Sequence, residues 1–150
     1  MTVFETIYQA DLRLLIWCRK SRYYPALISF FRVISRSGDG YVQLLLPLCY
    51  LLVEPLHGQQ FLRLVLLSFL LERSVYLVVK NLLKRRRPPE VVPDFTSIVM
   101  ASDQFSFPSG HTMAAFLLSG LALMTLGLMA LPLYLWATLV AISRVILGVH

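Results

Sequence analysis

The sequence predicts an all-α fold, a polytopic membrane helix bundle with interfacial helices at its N-terminal end. Three observations carry the prediction. Hydrophobic residues make up 57% of the chain and charged residues only 15%, proportions that exclude an ordinary soluble domain. Several apolar runs are long enough to cross a bilayer. The cations gather at the edges of those runs, so a net charge of +6 suits anionic headgroups or a phosphorylated lipid, and nucleic acid is not the expected partner.

At 150 residues the chain fits a single domain, 1–150, with spans expected at about 41–56, 60–83, 109–127 and 132–149. No cleavable signal peptide is expected, because Glu5 interrupts a start that carries no basic residue and Asp11 and Arg13 follow. Cys18 and Cys49 fall in separate apolar segments and read as buried thiols rather than a disulfide.

In the first element, residues 3–18, Val3, Ile7, Leu14, Leu15 and Trp17 are mixed with Glu5, Gln9, Asp11 and Arg13. That mixture is too polar to span and predicts an amphipathic helix lying at the interface. The basic break Arg19-Lys20-Ser21-Arg22 follows, with Tyr23 and Tyr24 suited to headgroup level. A second short helix is expected from Pro25 to the turn signal Ser37-Gly38-Asp39-Gly40, and Arg32 and Arg36 argue against its crossing. The first span then carries Pro47 and ends at the turn Glu54-Pro55-Leu56-His57-Gly58, which makes His57 a loop histidine.

The second span places Glu72 and Arg73 near its middle, where ionisable groups must face protein or water. Arg73 and Lys80 differ by only about 20° around an ideal helix, so Arg73 could line one cavity with Lys80, some 10 Å deeper. Pairing with a neighbouring helix is the simpler expectation. Residues 84–106, opened by Lys84-Arg85-Arg86-Arg87-Pro88-Pro89, read as a loop. The apolar stretch from Thr112 onward is too long for one crossing, and Gly127 and Pro132 bracket a reversal that returns Arg144 and His150 to the side of His111.

That side collects the chemistry. Pro108 disfavours helix at Phe107, Ser109 stands where an N-cap belongs, and Gly110 allows close approach to the backbone. The free N–H groups of the helix start suit an anion, and His111 beside them is placed to move a proton. Taken alone, these five residues fit an ordinary capped membrane helix equally well. Lys80 with Arg87, Ser109 to His111, and Ser143-Arg144 with His150 together supply three cations, a helix start and two histidines. A phosphate needs such a cradle: arginines clamp it with paired donors, lysine adds a point charge and backbone amides fill the remainder. Two histidines suit a nucleophile and a general acid. No Cys/His spacing or carboxylate cluster in the sequence indicates a metal.

The order and spacing of these motifs resemble the type 2 phosphatidic acid phosphatase family, membrane relatives of vanadium haloperoxidases. The resemblance runs from Lys80 to His150: Lys80, six residues, Arg87-Pro88; then Pro108-Ser109-Gly110-His111; then Ser143-Arg144, five residues, His150. It implies that Lys80, Arg87 and Arg144 bind phosphate with Ser109 and the Gly110 backbone. It implies further that His150 attacks phosphorus and His111 protonates the leaving oxygen, with no metal and no cofactor.

The family's third motif continues with an aspartate four residues after the second histidine, and the sequence stops at His150. The expectation is therefore a chain trimmed at its C-terminus, with little phosphatase activity as it stands. The implied substrate is a lipid phosphate or diphosphate: undecaprenyl diphosphate, phosphatidylglycerophosphate or phosphatidate. The implied place is a bacterial inner membrane with the site at its outer face, whereas the basic residues at 13 to 36, read by the positive-inside rule, would put that face in the cytoplasm. The rival is a non-catalytic membrane protein that keeps the phosphate cradle for lipid binding or assembly. The residue four positions past His150 discriminates, aspartate favouring the enzyme. Oligomeric state is not legible.

Overall fold

A computed structural model of the chain describes residues 22–84 and 105–148, together with Thr6, Gln9, Ala10, Arg13 and Ile16. Cys18, Arg87 and His150 lie outside the described residues, as does most of the expected interfacial helix, whose five described residues are helical and exposed. The described residues contain helices and no strand.

Helix α1 (Tyr24–Ser37) carries Pro25 in its first turn, where a missing N–H costs nothing. It begins one residue earlier than the sequence suggests. Its far end is tied to the last helix: Trp136 Nε1 donates to Ser37 Oγ at 2.8 Å, and Arg144 Nη1 donates to Ser35 Oγ at 2.8 Å. The chain then turns through Gly38, Asp39 and Gly40. Gly40 has φ of 110°, a left-handed value that other residues rarely adopt.

Helix α2 (Tyr41–Val53) and helix α3 (Pro55–Leu83) form a hairpin joined by Glu54 alone. The expected turn over residues 54–58 is therefore mostly helix, and His57 belongs to the first turn of α3. Two residues explain the tightness. Pro55 takes the first helical turn without leaving an amide unpaired, and Gly58 lies so close to Leu51 that a Cβ there would overlap its backbone. Cys49 is exposed rather than buried, because the buried face of α2 runs through Gln43 and Pro47 and Cys49 lies off it.

At 29 residues, α3 is roughly 43 Å long, more than the hydrocarbon thickness of about 30 Å. Lys80 lies in its last turn. Helix α4 (Gly110–Leu126), a 3₁₀ turn (Gly127–Ala130) and helix α5 (Leu131–Ile146) follow. Gly127 (φ 62°) starts the reversal, and the two helices return antiparallel: Ser119 Oγ donates to the Leu133 carbonyl at 3.0 Å, and the Phe116 and Tyr134 rings meet edge to face at 6.2 Å.

The core is small-residue packing around larger plugs. Phe61 and Val65 of α3 meet Leu118, Leu121 and Ala122 of α4, while Ala115, Ala137 and Val140 close α4 against α5. Small side chains let helices approach closely where lipid supplies no hydrophobic drive between them. The outer wall is apolar as well: Leu66, Leu67, Leu70 and Leu71 on α3 are exposed, as are Met124, Leu128 and Met129 near the reversal. Such a wall suits hydrocarbon, not water. Among the described residues, the run Gly110–Ile146 is long and apolar enough to cross a membrane; α2 is apolar but shorter, and α3 carries Arg63, Glu72, Arg73 and Lys80 along its length.

Candidate active site

The site is assembled where the start of α4 meets the end of α3, the end of α5 and the α1–α2 turn. Ser109 is the N-cap of α4, extended in backbone, and its hydroxyl accepts from Thr112 N at 3.4 Å. Pro108, which precedes it, keeps the helix from starting earlier. Gly110 is pressed against α3: a Cβ there would lie 3.3 Å from the Tyr76 ring and 3.7 Å from Arg73 Nη1. Even a methyl group there would need the Tyr76 ring to give by a few tenths of an ångström.

A cavity of about 550 Å³ opens beside this junction. Gly110, His111 and Ala114 of α4 line it, with Phe69, Glu72, Arg73 and Tyr76 of α3, Arg144 of α5, Gln43 of α2 and the turn residues 38–40. His111 is partly exposed, and its Nε2 lies 2.5 Å from Asp39 Oδ1. Arg144 is buried at 8% exposure in the last turn of α5, anchored to Ser35. Ser143 beside it is fully buried and donates to the Val140 carbonyl at 2.6 Å.

Tyr76 organises the α3 side. Lys80 Nζ donates to its hydroxyl at 2.5 Å and lies 4.6 Å from the ring centroid, while the Arg73 guanidinium lies 4.8 Å from the same centroid. A ring face attracts cations through its quadrupole, so one tyrosine holds two positive charges near the helix start.

Of the residues singled out in the sequence, Gly110, His111 and Arg144 share the cavity wall, and Ser109 caps the helix beneath them. Lys80 does not line the cavity; it is buried one step behind, coupled through Tyr76. Arg87 and His150 fall outside the described residues. Arg73 corrects an expectation: it faces the cavity and Tyr76, as its azimuth shared with Lys80 allows, instead of pairing with a neighbouring helix.

Sequence reasoning missed Asp39, Gln43 and Tyr76. Tyr76 stands four residues before Lys80, one helical turn, and that spacing was the available signal. Asp39 was absorbed into a Gly-Asp-Gly turn signal, although an acidic residue on the histidine side of the membrane was visible in the order of spans.

Guanidinium groups, an ammonium and an open helix start favour an oxyanion, and an imidazole beside them can donate or accept a proton. Among the described residues, no three His, Cys, Asp or Glu side chains are grouped as metal ligands. A family model described as the PAP2 superfamily matches residues 61–150. The chain is also similar to a solved structure, the first transmembrane PAP2 type phosphatidylglycerolphosphate phosphatase from Bacillus subtilis. The TM-score is 0.71 at 26% identity, over 97% of this chain and 75% of that one.

Proposed function

Since the chain belongs to the PAP2 superfamily and is a membrane lipid phosphatase, we propose that it hydrolyses a lipid phosphate or diphosphate through a phosphohistidine intermediate. The observation that carries the reading is the meeting of His111, Arg73 and Arg144 with the start of α4 around one cavity. Undecaprenyl diphosphate, phosphatidylglycerophosphate and phosphatidate are the candidate substrates. Similarity to a phosphatidylglycerolphosphate phosphatase puts the second of these first for assay.

In the proposed reaction, the phosphate enters with its oxygens toward Arg144, Arg87 and the backbone at Gly110, with Ser109 assisting and Lys80 adding its positive charge from behind Tyr76. A neutral nitrogen of His150 attacks phosphorus. The new N–P bond forms as the bond from phosphorus to the leaving oxygen breaks, and His111 gives that oxygen its proton. Water then attacks the phosphohistidine, its proton returns to His111, and inorganic phosphate leaves with His150 restored. The cations stabilise the charge that builds on the oxygens in both steps.

Phosphate release by the protein, measured in detergent across the three substrates with EDTA present, tests this reading. Release of phosphate from at least one lipid under chelation is the expected result. Loss of activity on chelation, restored by a divalent ion, contradicts the metal-free mechanism. Binding of the lipids with no turnover points to a lipid-binding protein instead.

A further inference from the structure

We propose that Asp39 is a positioning residue for His111: its carboxylate orients the imidazole and favours the protonated form that donates to the leaving oxygen. The inference rests on the general-acid reading of His111 given above. Its starting point is the 2.5 Å contact between His111 Nε2 and Asp39 Oδ1, made across 72 positions of sequence.

The scaffold around Asp39 is built to hold it there. Gly38 is buried, and a Cβ on it would lie 3.1 Å from Val140 Cγ1, 3.2 Å from the Ser35 carbonyl oxygen and 3.5 Å from His111 Cδ2, so the turn packs closely between α5 and the imidazole. Gln43 Nε2 donates to the Gly38 carbonyl at 3.2 Å, fixing the turn to α2. The Ser35 and Ser37 contacts with Arg144 and Trp136 fix the preceding helix to α5. Gly40, at φ of 110°, lets the chain leave directly into α2.

Arg73, Glu72 and Tyr76 on α3, Arg144 on α5 and Asp39 on the turn all line the cavity with His111, while α2 contributes the neutral Gln43. The arginines oppose an imidazolium. Asp39 touches the ring, and Coulomb energy falls with distance, so the contacting carboxylate sets the balance. With Nε2–H directed at Asp39, the proton available to the leaving oxygen is the one on Nδ1.

Asp39→Asn keeps an acceptor at the ring and removes the charge. Turnover of a lipid phosphate, whose alkoxide leaving group needs protonation, should fall about tenfold to a hundredfold, within the range of general acid catalysis. Turnover of an aryl phosphate, which leaves without a proton, should fall much less. The alkaline limb of the pH profile should move toward lower pH in Asp39→Asn and stay near its original place in Asp39→Glu. In a His111→Ala background, Asp39→Asn should add nothing, because the two act as a unit.

Three results overturn the proposal: Asp39→Asn within twofold of the parent on the lipid, losses that are equal for both substrates, or a double variant far slower than His111→Ala. If His111→Ala itself shows no dependence on the leaving group, the general-acid reading fails first and the proposal falls with it. If His111→Ala shows that dependence and Asp39→Asn does not, the positioning role alone is refuted. Should Asp39→Asn not fold, Asp39→Ser takes its place: an alkaline limb moved toward lower pH supports the role and an unmoved one refutes it.

Discussion

Arg144 sits in the last turn of α5 with one guanidinium nitrogen on Ser35 and its side chain on the cavity wall. A planar fork can hold a helix partner and a phosphate together; a lysine cannot do both. Arg144→Lys should therefore lower lipid phosphate turnover about tenfold to a hundredfold, the worth of a charged hydrogen bond lost. Unchanged turnover in a phosphate-release assay would remove Arg144 from the phosphate cradle. At this scale the sequence was informative where chemistry is local. Ser109, Gly110 and His111 could be placed because capping is decided within four residues of a helix start. Asp39 and Arg73 could not be placed, because their partners are supplied by packing between elements distant in sequence. Only the azimuth shared by Arg73 and Lys80 hinted at the cavity, and an expectation of simple pairing overrode it.

At the scale of elements, the α2–α3 hairpin decides where the far end of the long helix α3 lies. Its single linking residue depends on Gly58, where a Cβ would overlap the Leu51 backbone. Gly58→Ala must push the helices apart, at a cost of about 1–3 kcal/mol for overpacking. The expected outcome is a lower midpoint of thermal unfolding in detergent. Lys80 and Arg73 lie toward the other end of α3, so phosphate affinity should change little. An unchanged midpoint would show that the hairpin opens freely. The sequence signalled a turn here through Glu54, Pro55 and Gly58, yet gave the wrong extent. Proline and glycine mark breaks in a pattern, but both also serve inside a tight helix pair: proline at its start, glycine at its contact. The reversal at Gly127 was better defined, since a glycine at φ of 62° and a proline early in α5 frame four residues.

At the scale of the whole molecule, the outer wall of α3, α4 and α5 is apolar and the cavity lies at the end where Lys80, His111 and Arg144 gather. We propose that this end faces outward across a bacterial inner membrane. Single cysteines at Asp103 and at Gln59, in a background lacking Cys18 and Cys49, test it with an impermeant thiol reagent in sealed cells. Labelling at position 103 alone is expected, and labelling at position 59 alone reverses the orientation. The proposed reaction turns on a covalent step at His150, and that step has a direct measurement. The protein is mixed with a lipid phosphate labelled in its phosphoryl group, quenched within milliseconds, and assayed for protein-bound label. The account predicts an acid-labile, base-stable phosphoenzyme that maps to His150, forms with EDTA present and is absent from His150→Ala. Turnover that proceeds with no bound label, or label that survives in His150→Ala, would contradict it.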